Sequence, residues 1–428
     1  MSQKELTRLQ VLTLVRDGRL AQKLAAERLG LSSRQVRRLA LKLESSGAKG
    51  LVHANRGRPA PNRIDPQLSA RILKLVETTY FDFNDTHLCE MLAEREDIRI
   101  GRETLRSLLR ASGRRSKRRR RPPKHHRRRL RSPAKGLLLL WDGSPHHWFG
   151  PEKPPCTLMY AIDDADGELI EGFFVPQETS AAYLRLLDGI VRKKGIPVAI
   201  YQDRHGALKR NDSHWTIQEQ LNGEQNPTQV GSALRDLGIR PIFALSPQAK
   251  GRVERSFGVD PDRLCAEMRL AGVDSIQAGT AFLKEHWIER RNQRFKKEPQ
   301  LPVSAYRSSA KIDLNKTLAF RYPATVANDN TVSLGGKVLQ IPPGPGGRSY
   351  AKAKVEARQH LDGSWSVYYN GLRIAQAPPS PLREPVRINR RSPNSQIGSQ
   401  DFLVYPPSED FNPADIIARQ LRGQIASA

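Results

Sequence analysis

With 428 residues, the chain is too long for one small domain and suits three or four. Hydrophobic residues make up 38% of it, enough for real cores, while a mean hydropathy of -0.58 argues against a membrane protein, as does the lack of any apolar run near the roughly 20 residues of a span. A net charge of +27 and a pI near 10.4 imply a polyanionic partner, with nucleic acid the first candidate; a merely solubilised basic surface would carry the same charge, so motifs must decide.

The chain opens on polar Met1-Ser2-Gln3-Lys4-Glu5, without the apolar stretch of a signal peptide. Cys89, Cys156 and Cys265 are odd in number and far apart. They fit neither a disulfide framework nor a zinc cluster, and a reducing, cytoplasmic setting follows as the simplest expectation.

Residues 1–55 read as a helix-turn-helix domain. Leu24, Ala25 and Leu29 form an inward face, Gly30 supplies the turn, and Ser32 or Ser33 caps a second helix. That helix carries Arg34, Gln35, Arg37 and Arg38 outward, residue types suited to phosphates and major-groove edges. Residues 56–64 form a basic Pro/Gly linker with Arg56 and Arg58, able to follow a minor groove or to space two domains. Over 65–112, Leu68, Ile72, Leu75 and Val76 recur at helical spacing, and Ile100–Leu109 resembles a second recognition helix, so this stretch reads as a second helical DNA-binding unit. The linker 113–133, with Arg118, Arg119 and Arg120 at its centre, is almost wholly basic, cannot bury itself, and should track phosphates with a steep salt dependence.

From 134 to 300 the pattern turns to α/β. Apolar runs end in Asp142 and in Asp203, a hairpin turns at Asp164-Ala165-Asp166-Gly167, helices are expected over 180–194 and 231–238, and a fifth short strand begins at Arg240. Glu254 begins a long helix after that strand. The order strand, hairpin, helix, strand, helix, strand, helix is that of an RNase H-like fold, a mixed five-stranded sheet with helices on its faces. In that topology Asp142, Asp203 and Glu254 converge. Three carboxylates suit two divalent metal ions, which are hard and prefer oxygen ligands, at a phosphodiester undergoing in-line displacement. His146 and His147 could approach the same phosphate, although adjacent strand residues point apart. Lys250 and Arg252 could grip DNA phosphates.

Three segments resemble a known family: Trp141-Asp142-Gly143-Ser144-Pro145-His146-His147-Trp148-Phe149, Tyr201-Gln202-Asp203-Arg204-His205-Gly206, and Ser246-Pro247-Gln248-Ala249-Lys250-Gly251-Arg252-Val253-Glu254-Arg255. They are similar to the DDE transposases of bacterial insertion sequences, nearest to the ISNCY-type group with its integrase catalytic core. The resemblance runs from the amino-terminal helices to about Asn370. It implies Asp142, Asp203 and Glu254 as catalytic ligands of Mg²⁺ or Mn²⁺ in a two-metal site. It also implies cleavage and strand transfer at terminal inverted repeats, with target DNA as second substrate. The protein would act as a homo-oligomer on double-stranded DNA, associated with the nucleoid and with no membrane. A catalytically silent regulator descended from such an enzyme is the alternative. The spacing of about 50 residues between Asp203 and Glu254 exceeds that of retroviral-type cores, and the excess, from Lys209 onward, reads as a surface insertion. Short strands separated by Gly-Gly, Pro-Gly and Asp-Gly turns over 314–378 suggest a small SH3-like β-barrel, and 379–428 a tail with a terminal helix.

Overall fold

The computed structural model describes residues 2–53, 55–56, 63–117, 130–210, 215–223, 225–243 and 251–379, with the side chains of 218 and 251–259 outside the description. Among these residues no helix is long and apolar enough to cross a membrane. The chain divides into two compact units, Met1–Val76 and Glu77–Ala428.

The first unit holds α1 (Gln3–Arg16), α2 (Gln22–Leu29), α3 (Ser33–Ser46) and most of α4 (Pro66–Thr78). Gly30 ends α2 at φ 61°, a left-handed conformation that glycine adopts without a Cβ penalty. The Ser32 hydroxyl then accepts the Gln35 amide at 3.3 Å and starts α3. Leu12, Ala25, Ala26, Val36, Leu43 and Leu51 make the core. The inward face of α2 is therefore Ala25 and Ala26; Leu24, expected inside, is 51% exposed. Small alanines let α2 lie close to its neighbours, whereas Leu24 sits one position off that stripe.

The second unit begins with α5 (Asp85–Arg95) and α6 (Arg102–Ala111) and continues into a five-stranded sheet ordered β3-β2-β1-β4-β5. Its strands are β1 (Leu138–His146), β2 (Cys156–Asp163), β3 (Leu169–Val175), β4 (Ala199–Gln202) and β5 (Arg240–Phe243). β1, β2 and β3 pair antiparallel, and β4 joins β1 and β5 in parallel, the mixed sheet expected from the order of elements. Between strands lie α7 (Ser180–Lys194), the short α8 (Ile217–Asn222) and α9 (Gln229–Asp236). After β5 come α10 (Gly251–Leu270), α11 (Ile276–Phe282), a π-helical turn over Leu283–Trp287 and α12 (Ile288–Phe295).

Two cores flank this sheet. Leu139, Trp141, Met159 and Ala161 pack with Tyr183, Leu187 and Ile190 of α7. On the other face Leu158, Tyr160 and Phe174 pack with Leu264 and Met268 of α10 and with Trp287. A strand alternates its side chains, so near-continuous burial along β2 is the mark of a sheet covered on both faces. Each fully buried aliphatic or aromatic side chain here stabilises the fold by about 1.5–3 kcal/mol.

α5 is tied to α10 and α12 by polar contacts. His87, fully buried, donates to the Glu267 carboxylate at 2.8 Å. Arg263 reaches Glu90 at 2.5 Å, Arg269 reaches Asp82 at 2.7 Å, and Arg290 and Arg294 meet Glu94. The turn after β2 is equally anchored. Asp163 accepts the Gly136 amide and the Tyr306 hydroxyl, each at 2.9 Å. Asp164 accepts the Ser132 amide at 2.8 Å.

After α13 (Leu314–Thr317) follow β6 (Phe320–Thr325), β7 (Thr331–Leu334), β8 (Lys337–Gln340), β9 (Lys354–Gln359), β10 (Trp365–Tyr369) and β11 (Leu372–Ala377). They form an antiparallel sheet ordered β11-β10-β9-β6 and a separate β7-β8 hairpin. Where a closed barrel was expected, the described strands form an open sheet with the hairpin beside β6 and β11. Gly335 and Gly336, at φ 56° and 83°, form a two-residue turn whose twist suits a hairpin. The expected tail and its terminal helix lie outside the described residues, apart from Pro379.

Candidate functional site

β1 carries Asp142 on a definite face. Trp141 belongs to the α7 core, so its neighbour points to the other side. Across the β1–β2 ladder Asp142 stands opposite Tyr160, a member of the core under α10. Asp142 therefore shares the sheet face on which α10 lies. The strand runs on to His146, so Asp142 sits inside it rather than at its end.

β4 brings the second acid alongside. The parallel register pairs Leu138 with Ala199, Leu139 with Ile200 and Leu140 with Tyr201. Continued two residues, it sets Asp142 level with Asp203. The register is fastened one step earlier, where the buried Trp141 indole donates to Gln202 Oε1 at 3.1 Å. A buried indole N–H without an acceptor would cost about 1–3 kcal/mol, which makes this contact a strong determinant of alignment. Asp203 follows the last residue of β4 and accepts the His205 amide at 2.9 Å. Both aspartates are half-buried.

Glu254 falls within α10, which packs against β1, but its side chain is outside the described residues. So is the side chain of Arg252, and Arg58, Arg118, Arg119, Arg120 and Lys250 lie outside entirely. Among the described residues no three His, Cys, Asp or Glu side chains gather in a way that could hold a metal.

A further carboxylate, missed in the sequence, stands behind the strand ends. Glu178 lies just before Thr179, whose hydroxyl caps α7 by accepting the Ala182 amide. It accepts the Tyr183 hydroxyl at 2.5 Å and approaches His205 Nδ1 at 3.5 Å. Burial first, then the charges of Glu178, Asp142 and Asp203, push the Tyr183 hydroxyl well above the ordinary phenol range. Tyr183 therefore remains a proton donor throughout the neutral range. The only sequence signal was an acid directly before a helix cap with a tyrosine one turn later.

His147 rests its Nδ1 3.0 Å from the Lys153 carbonyl oxygen. Partial burial, followed by the neighbouring His147, lowers the pKa of His146 and favours its neutral ring. The stretch after Asp203 is folded in part: the buried Glu219 accepts the Thr216 and Asn226 amides at 2.8 Å and pairs with Arg210.

In the first unit, Arg34, Gln35, Arg37 and Arg38 of α3 are all exposed, and none of these arginines enters an ion pair among the described residues. Arg56 instead holds Glu5 at 2.5 Å.

Comparison with known proteins agrees with this architecture. Residues 8–70 match the winged helix-turn helix family model. A putative transposase of Sinorhizobium fredii, y4bF, is 35% identical over 373 residues, spanning 87% of this chain and 80% of its own length. The transposase for insertion sequence IS1202 of Streptococcus pneumoniae is 32% identical over 327 residues, 68% of this chain and 69% of its own length. Among solved structures, the HTLV-2 integrase catalytic core domain in complex with magnesium matches at 16% identity with a TM-score of 0.24, covering 36% of this chain and 91% of that one. A chain that aligns with these two relatives over most of their lengths, and joins a helix-turn-helix unit to a mixed α/β sheet, belongs to the transposase family and functions in DNA transposition.

Proposed function

We propose that this transposase is of the DDE type, with Asp142, Asp203 and Glu254 as ligands of two divalent metal ions, Mg²⁺ or Mn²⁺. The observation that supports the reading is the parallel β1–β4 register, which carried two residues past Leu140–Tyr201 aligns Asp142 with Asp203 just beyond β4, while α10, the helix that contains Glu254, packs against β1. Carboxylates alone make an all-oxygen donor set, which fits hard cations that keep part of their water shell. Bound there, such ions would activate the incoming oxygen and stabilise the leaving one.

The reaction is an in-line displacement at phosphorus. Attack by water forms one P–O bond and breaks the bond to the 3′ oxygen, leaving a 3′-hydroxyl and a 5′-phosphate; attack by that hydroxyl on a phosphodiester of a second duplex joins the strands and releases the target strand's own 3′-hydroxyl. The chain's part is to align substrate and exclude competing geometries. Arg34, Gln35, Arg37 and Arg38 would contact the element's terminal repeats, Arg56 and Arg58 the adjoining groove, and Arg118, Arg119 and Arg120 the phosphates between binding unit and core. Lys250 and Arg252 would hold phosphates next to Glu254. The region over 65–112 would add a second DNA contact, and the carboxy-terminal sheet with its hairpin a further small module. Paired ends require more than one active site, hence a homo-oligomer on double-stranded DNA, in the bacterial cytoplasm where the nucleoid lies.

The test uses the full chain, a labelled duplex carrying the element's end, and Mg²⁺ or Mn²⁺. Asp142→Asn, Asp203→Asn and Glu254→Gln should each lower cleavage at least a thousandfold, with duplex affinity held within about twofold. Cleavage retained by any of the three removes that residue from the metal site. Binding without cleavage by the unaltered chain would instead favour a silent regulator.

A further inference from the structure

Resting on that reading, we infer that Glu178 is a positioning residue, which braces β1 beside Asp142 and the loop that carries Asp203, from the face opposite to Asp142. The argument begins at Gly143. It follows Asp142 on β1 and so faces the α7 side, with Leu139 and Trp141. A Cβ built on Gly143 would lie 2.5 Å from Glu178 Oε2 and 3.1 Å from Thr157 Cγ2. The carboxylate fills the space a side chain would take, against the backbone of the residue next to Asp142.

The other Glu178 oxygen reaches the second strand end. Oε1 accepts the Tyr183 hydroxyl at 2.5 Å and stands 3.5 Å from His205 Nδ1. His205 in turn donates its backbone amide to Asp203 at 2.9 Å. One side chain thus touches the Asp142 strand through Gly143 and the Asp203 loop through His205, and it is held on α7 by a buried tyrosine. Loops that follow strand ends are otherwise free to shift. A carboxylate fixed by a buried hydroxyl limits that freedom and keeps the two aspartates level. Tyr183 is itself fixed, packed 5.2 Å from the Trp141 ring, and Trp141 bonds Gln202 on β4. The brace and the indole contact therefore hold the same pair of strands, one at their ends and one just behind.

Because Glu178 lies on the opposite face from Asp142, its contribution here comes from shape and hydrogen bonding. Glutamine, which keeps an oxygen for Tyr183, should then replace it, whereas alanine should not. The experiment measures cleavage and Mn²⁺ affinity, the latter by electron paramagnetic resonance on the full chain without DNA. Glu178→Ala should lower kcat about 10–100-fold and weaken Mn²⁺ by a similar factor, with duplex affinity unchanged. Glu178→Gln should recover to within about threefold of the unaltered chain. Gly143→Ala removes no carboxylate; its methyl group meets the Glu178 carboxylate first, and Thr157 Cγ2 next, and so displaces the Glu178 headgroup. It should reproduce the Glu178→Ala loss, and the double variant should be no worse than either single one. This variant also serves if Glu178→Ala does not fold.

Glu178→Ala within twofold of the unaltered chain overturns the inference, as does a Glu178→Gln variant as impaired as Glu178→Ala, or strict additivity with Gly143→Ala. Asp142→Asn run alongside separates two kinds of failure. If it is inactive while Glu178→Ala is unaffected, only the brace fails; if it still cleaves, the metal reading and the brace fall together.

Discussion

Two helical regions of this transposase carry opposite charge, arginine-rich on α3 and acid-rich on α5, and they dispose of it differently. On α3, Arg34, Arg37 and Arg38 point to solvent, and no acid of the fold claims them among the described residues. Around α5, Asp82, Glu90 and Glu94 are taken up by Arg269, Arg263, Arg290 and Arg294 from α10 and α12. Arg110 of α6 is likewise held by Asp85. Charge that has a partner within the chain serves packing, and charge without one is available to a ligand. Sequence composition does not distinguish the two, because the acids around α5 and the arginines of α10 and α12 that meet them lie more than 170 residues apart.

The largest effect that would sharpen this contrast is at the buried end of the α5 seam. Glu267→Ala leaves His87 and Arg290 facing each other without their shared carboxylate. The second unit should lose about 3–5 kcal/mol in urea denaturation, because breaking a buried pair leaves an uncompensated polar group. A loss below 1 kcal/mol would show that the seam is not packed.

The two units should next separate by pH. Burial raises the Asp163 carboxyl to about 6 from an ordinary 3.8, against the bonds from Ala165, Gly136 and Tyr306 that lower it. A folded-state pKa above the unfolded one gives stability that is complete below about pH 4 and lost as pH rises through 6. The swing is roughly 3 kcal/mol in the second unit. Glu5 in the first unit has the opposite sign. Its pKa is lowered chiefly by the Ser2 amide, so its contribution is present above the unfolded value and is lost on acidification. Unfolding followed separately for each unit between pH 4 and 7 checks this; parallel profiles would contradict it.

Replacing Arg34, Arg37 and Arg38 together by alanine should cost no stability, since no internal partner is lost. Duplex affinity should fall about 10–100-fold, and the slope of log affinity against log salt should shrink by about one per lost phosphate contact. An unchanged slope would place the DNA elsewhere. The smallest effect is expected at the exposed rim of the seam, where Glu94→Ala, which leaves Arg290 with Glu267 and Arg294 with Glu90, should change stability by less than about 1 kcal/mol.

Local order was legible in the sequence wherever neighbours along the chain decide it. The Gly30 turn, the Ser32 cap and the α7 span follow from capping, turn chemistry and apolar period, all of which act within a few residues. So did the mixed sheet, since the order of its elements leaves few ways to bury them. The closed barrel expected over 314–378 is seen as an open sheet with a hairpin beside it, since strand closure depends on pairing between distant edges.

What the amino-acid sequence determined by itself was the kind of protein and the elements that carry Asp142, Asp203 and Glu254. Only the tertiary structure decided which way those elements face. It bonded Trp141 of β1 to Gln202 of β4, placed Glu178 against Gly143, and matched the acids of α5 with arginines of α10 and α12. The reason is physical: periodicity and capping are short-range, whereas register, facing and charge pairing arise between segments that meet only once the chain has folded.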